Sequence, residues 1–136
     1  MSNEYSRNRR DADKTVVKTL PAAAANANTP TIDLEQTIGG IIESIAFEIA
    51  LPALPDLVDA KTVIVTVQDS ADNVAFTALD PAISTSVVGA GGIGSAAKTV
   101  RFRLPPHARR YIQLNLAVLA AGGDNTAKSV TFSALF

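Results

Sequence analysis

Few residues in the chain could do chemistry, and four groupings stand out. Ser70, with Asp69 or Asp72 and His107, could supply the nucleophile, orienting acid and base of an acyl-transfer site. Asp69, Asp72 and Asn73 could turn oxygens toward a calcium ion. Gly89-Ala-Gly-Gly-Ile-Gly94 satisfies the G-x-G-x-x-G pattern that lets a backbone approach a pyrophosphate. Lys98, Arg101, Arg103, Arg109 and Arg110 form a basic run that could contact phosphate.

The surroundings of each grouping point elsewhere. His107 lies in Pro-Pro-His-Ala-Arg-Arg, where two neighbouring cations disfavour an imidazolium, and Ser70 lacks a nucleophile-elbow signature. A calcium loop needs more oxygen ligands at fixed spacing and a closing Glu, so 69–73 reads as a turn. A dinucleotide fingerprint needs a following helix and an acid about 20 residues on. Here a strand begins at Thr99, and no Asp or Glu occurs between Asp80 and Asp124. The glycine stretch therefore reads as a flexible loop joining two strands. An isoelectric point near 5.7 and sparse aromatics argue against nucleic acid as a partner. The expectation is a protein that is not an enzyme and carries no cofactor or metal.

Composition narrows the class further. The 136 residues include no Cys, one His and one Met, so disulfide scaffolds, four-ligand zinc sites and thiol chemistry are excluded. Hydrophobic residues reach 47% while aromatics are 5%, and 23 residues are Ala, so the apolar share is small and β-branched. The longest apolar run, 117–121, is too short to cross a bilayer as a helix, and the first ten residues lack the apolar core of a secretory signal. Cytosolic synthesis, with no membrane partner, is the expectation.

Charge is balanced in total, with 12 basic and 13 acidic residues, but not along the chain. Residues 33–80 hold nine acids and one base, Lys61; residues 98–110 hold five bases and no acid. Opposed patches of this kind either form separate solvated faces or dock in complementary fashion, between copies or on a partner.

The elements that must position these residues are short strands. Alternation of apolar and polar residues marks 31–34, 45–51, 62–68, 74–78, 99–104, 111–118 and 129–136, and 83–88 is rich in β-formers. Gly, Pro, Asn or Asp separates them, and 62–79 reads as a hairpin turning at 69–73. The best helical candidate, Gln36–Ile45, is interrupted by Gly39-Gly40. About eight evenly spaced alternating strands predict an all-β fold, an antiparallel sandwich with one wet face on each sheet. Residues 1–28, with a charged start and an Ala-rich stretch between Pro21 and Pro30, read as an extended N-terminal arm before a sandwich over 29–136. Exposed sheet edges need cover, which favours a homodimer.

Three stretches carry a resemblance to a known family. They are Thr31-Ile-Asp-Leu34 after the Ala/Asn/Thr-rich lead-in, the segment Lys61-Thr-Val-Ile-Val-Thr-Val-Gln-Asp-Ser-Ala-Asp-Asn-Val-Ala-Phe-Thr77, and Leu104-Pro-Pro-His-Ala-Arg-Arg-Tyr-Ile-Gln-Leu-Asn-Leu116. Over 29–136 the chain resembles the jelly-roll capsid cement (decoration) proteins of tailed bacteriophages. Gln113 stands where that family tends to have Arg, and the charged segment 1–20 is longer than its usual start. The resemblance implies a jelly roll and a structural virion protein on the outer capsid surface, where it clamps major capsid subunits. The contact residues expected on this reading are Arg7, Arg9, Arg10, Lys14 and Lys18 of the arm, with Arg101, Arg103, Arg109, Arg110 and Tyr111 as a second ridge. Partners would be the major capsid protein and further copies of the chain. The alternative is another virion accessory sandwich that binds glycan or forms a head–tail contact.

Overall fold

The computed structural model describes residues 10–34, 46–105 and 107–135. Ten strands follow in order: β1 Arg10–Thr19, β2 Asn26–Asn28, β3 Ile32–Asp33, β4 Ala46–Leu51, β5 Thr62–Ser70, β6 Thr77–Ala78, β7 Ser84–Val88, β8 Lys98–Arg103, β9 Tyr111–Val118 and β10 Ser129–Leu135. All pairings between strands are antiparallel. One sheet has the order β1-β10-β4-β8. In the other, β9 pairs β2 and β3 on one side and β5 on the other, and β5 in turn pairs β6 and β7.

This is the jelly-roll order, and the registers show how it arises. Thr15 opposes Ser133, Ala27 opposes Leu116, Ile49 opposes Val100 and Val65 opposes Thr85. Each pair is placed almost symmetrically about residue 75. The chain thus pairs as one long hairpin whose tip is the 71–76 loop, and the hairpin rolls up. The joins β10–β4 and β9–β5 bring its two wings together.

The alternation seen in the sequence supplies the core. Val63, Val65 and Val67 of β5 meet Leu114, Leu116 and Val118 of β9 on the inner face, all essentially inaccessible. Opposite them Phe47, Phe102 and Phe132 of three neighbouring strands pack with ring centroids 5.8–6.1 Å apart. Three of the five Phe residues thus occupy one layer, and Val, Leu and Ile fill most of the rest.

The expected strands all appear, with three differences. First, residues 10–28 do not stand apart from the sandwich. β1 pairs β10 from Thr15 to Thr19, β2 pairs β9, and Leu20 is part of the core. Sequence pattern hides β1 because its residues in RDADKTVVKT lack sustained alternation. Second, the 62–79 hairpin closes over two pairs only, Gln68–Ala78 and Asp69–Thr77, and β7 takes the edge of β5 beyond them. Third, the glycine stretch is pinned rather than flexible. A Cβ on Gly94 would lie 1.8 Å from the Leu54 carbonyl oxygen, and Leu54 and Ser95 exchange two backbone hydrogen bonds. The helical expectation over 36–45 lies outside the described residues. Among the described residues, no helix is long and apolar enough to cross a membrane.

Candidate functional site

The rolled hairpin folds the acidic middle of the chain onto its basic stretch, and three arginines find carboxylates there. Glu48 of β4 opposes Arg101 of β8 in register, and Arg101 Nε lies 3.0 Å from Glu48 Oε2. The Glu48 carboxylate is 5% exposed. Arg110 donates from Nε and Nη2 to the two oxygens of Asp33, at 2.7 and 2.9 Å, while its guanidinium carbon sits 5.1 Å from the Tyr111 ring centroid. Both side chains of that pair are well exposed, so it contributes at most about 1 kcal/mol.

The third pair is the tightest knit. Arg109 Nη2 donates to Asp69 Oδ1 at 2.7 Å, to the Asp69 carbonyl at 3.0 Å and to Thr77 Oγ1 at 2.7 Å. The Arg109 backbone N–H donates to Asp69 Oδ2 at 2.9 Å. Asp69 is 6% exposed, so both carboxylate oxygens are satisfied by one residue in a site nearly closed to water. Burial raises the Asp69 carboxyl, but the donors and charge of Arg109, with a smaller contribution from His107, outweigh it. The net effect holds Asp69 below the usual carboxylate range. A shallow cleft of about 320 Å³ beside the pair is lined by Thr77, Asp80 and exposed His107.

These geometries answer the sequence-based groupings. The Ser70 hydroxyl donates to Asp72 Oδ1 at 2.8 Å, and its oxygen accepts the N–H groups of Asp72 and Asn73. Asp72 Oδ1 also accepts the N–H groups of Val74 and Ala75. Those two backbone donors, with Ser70, lower the Asp72 carboxyl to about 2. Ser70 and Asp72 thus build the tip of the hairpin, while Asp69 faces Arg109, so the three do not converge on one ion or one nucleophile. The four arginines of 98–110 come from two sheets. Arg101 and Arg103 project from the edge strand β8, and Arg109 and Arg110 lead into β9 of the other sheet. Three acids of the 33–80 run thus pair with three bases of the 98–110 run within the chain. Lys14 and Lys18 lie half-buried on β1, Arg10 opens that strand, and Arg7 and Arg9 lie outside the described residues. Tyr111 is half-buried opposite Ser70 and Asp33.

Sequence reasoning missed Asp33, Glu48, Asp69 and Thr77 as partners of the arginines. For Glu48 a signal existed: strands pairing symmetrically about residue 75 bring position 48 opposite 101. Asp33 and Arg110 follow from the same folding-back. The Asp69–Arg109 pair depends on the β5–β9 join, which has no local signature. Gln113 donates from Nε2 to Gln68 Oε1 at 2.8 Å across that join. Asn115 does the same to Asn28.

No family model and no curated protein matches the chain. Several solved structures are similar to the chain at low identity. The crystal structure of PirA matches with a TM-score of 0.46 and 11% identity, over 91% of this chain and 95% of that one. The enzymatically active domain of bacteriophage CBA120 tailspike protein 4 matches with a TM-score of 0.44 and 16% identity, over 88% of this chain and 14% of that one. A structure of infectious bursal disease virus, Gt strain, matches with a TM-score of 0.40 and 14% identity, over 96% of this chain and 32% of that one.

Proposed function

We propose that the protein is a structural component of a virion, a capsid cement protein that binds the outer surface of a phage head and holds major capsid subunits together. One observation carries the reading. The three stretches that resemble the cement family are far apart in sequence, yet they form adjacent elements of one sheet: β3, the β5–β6 segment, and the 104–116 run containing β9. Their polar residues serve the architecture. Asp33, Asp69, Arg109 and Arg110 tie the sheet and its loops together. A building part repeated many times on a shell gains its strength from many identical contacts, and a rigid body helps each one add to the others. Arg7, Arg9, Arg10, Lys14 and Lys18 are the proposed shell contacts of the N-terminal stretch.

The test is co-sedimentation of purified protein with heads of the parent phage, followed by heating. Saturable binding and a higher temperature of DNA release support the reading. Protein that stays in the supernatant overturns it. Any truncation should stop before Arg10, because longer deletions remove β1 from its sheet.

A second reading rests on the outer face of the β9-containing sheet. Its outward row Asn28–Asn115–Thr66–Ser84 is uncharged and made of amides and hydroxyls. Such groups can bond sugar hydroxyls, and a glycan array tests this accessory role directly.

A further inference from the structure

The two ends of the sandwich differ. The connections 20–25, 52–61, 89–97 and 119–128 all emerge at one end, as the strand registers require. Val58, Val88, Ile93 and Leu119 lie in or at the mouth of these connections, and each is exposed, Ile93 by 77%. Ile64 continues the patch onto the adjoining sheet face, where it borders a shallow depression of about 350 Å³ with Ala117 and Leu119. Among the described residues, the opposite end carries Asp72, Asp80, His107 and the Arg109 and Arg110 pairs, with Val74 as an exposed apolar residue.

The apolar end is also preformed. The Val58 N–H donates to the Gly122 carbonyl, Ala60 to Gly89, Leu119 to Thr62, and Gly92 to Asp59 Oδ1. A Cβ on Gly89 would lie 2.4 Å from the Val58 carbonyl oxygen, and one on Gly123 2.3 Å from that of Asp56. Loops fastened to one another in this way lose little freedom on docking. Large apolar side chains held exposed in one cluster mark a contact surface.

The charges around the patch point to the occupant. The same connections and the strand ends beside them carry Asp56, Asp59 and Asp124, and Lys18, Lys61, Lys98 and Lys128. Three acids and four bases leave the rim close to neutral. A surface built for a strongly acidic or basic partner would show an excess of the opposite sign. Under a two-fold axis the same patch meets itself, so a balanced rim is self-complementary. We propose that this loop end is a self-association face on which a second copy of the chain docks about a two-fold axis. The proposal stands on these loops alone and does not depend on the capsid reading.

The test is sedimentation equilibrium of the full chain from about 1 to 100 μM, a range that spans micromolar association. The comparison set is Ile93→Asp, Val58→Asp and, at the far end, Val74→Asp. The expected result is a reversible dimer that Ile93→Asp and Val58→Asp each weaken at least about tenfold, with Val74→Asp unchanged. All three positions are exposed, and a thermal melt of each variant verifies folding. The chain has no Cys, so Ile93→Cys can carry a lone spin label; close label-to-label distances in the dimer locate the face. A monomer at all concentrations overturns the proposal, as does a dimer indifferent to both patch variants. A monomer whose Ile93→Asp variant no longer sediments with phage heads also overturns it, by assigning the end to the shell, and leaves the cement reading standing.

Discussion

Replacing Arg109 by alanine strips Asp69 of its guanidinium while leaving the backbone N–H at 2.9 Å in place. Breaking a fully buried ion pair costs about 3–5 kcal/mol, because the surviving charge has no partner. An exposed pair costs at most about 1 kcal/mol. Here the carboxylate is 6% exposed and the arginine side chain 41%, so water can reach the vacated side of Asp69 but not surround it. The loss lies between those limits, at about 2 kcal/mol. For a domain of this length that is a fall in Tm of roughly 6–8 °C. Urea unfolding at pH 7 measures the difference, and Arg109→Lys should recover part of it, since an ammonium keeps the charge but not the fork of donors. The pH dependence gives a second check. The Asp69 carboxyl is lowered in the folded state from 3.8, so its stabilising contribution is complete above that value and fades as the pH falls through the folded-state pKa below it. The gap between native and Arg109→Ala protein should therefore narrow below pH 3.8. A loss under about 0.5 kcal/mol at pH 7, or a gap that stays constant down to pH 2.5, would refute the reasoning.

Other outcomes follow from the same structure. Gly94→Ala forces a Cβ to within 1.8 Å of a backbone oxygen at a φ of +75°, whereas Gly92→Ala, at a φ of +73°, meets nothing within 4 Å. The first should prevent stable folding or lower the urea midpoint severely; the second should cost only about 1–2 kcal/mol. Phe132→Ala opens a cavity between Phe47 and Phe102 and should cost about 3–5 kcal/mol by the same urea measurement. Carboxyl carbon NMR should find Asp72 titrating near 2, with its contribution present above 3.8 and lost as pH falls toward 2. Asp72→Ala should then speed amide exchange at Val74 and Ala75, which lose their acceptor.

Much of the sandwich was legible because antiparallel strands with one wet face impose a period of two on their residues. Val63, Val65 and Val67, or Ile112, Leu114 and Leu116, announce an inner face without any knowledge of the neighbour. β1 was not legible: Lys14 and Lys18 lie half-buried on it beside Val16, and exposed Val17 breaks the alternation. What lay furthest from the sequence was the use of the charges. A run of arginines looks like a surface for others until register is known, and register across the β5–β9 join is set by two sheets closing on each other. The loop end was hidden for a related reason. Val58, Ile93 and Leu119 are isolated apolar residues in three separate connections, and only the roll of the hairpin gathers them.

The central claim, that this jelly roll is a part of a phage head, is tested most directly by imaging the particle itself. Cryo-electron microscopy of heads from the parent phage should show the sandwich at symmetry-related positions on the outer shell, bridging adjacent capsid subunits. Shells whose outer surface carries no such density, or density for this chain confined to the tail, would contradict it.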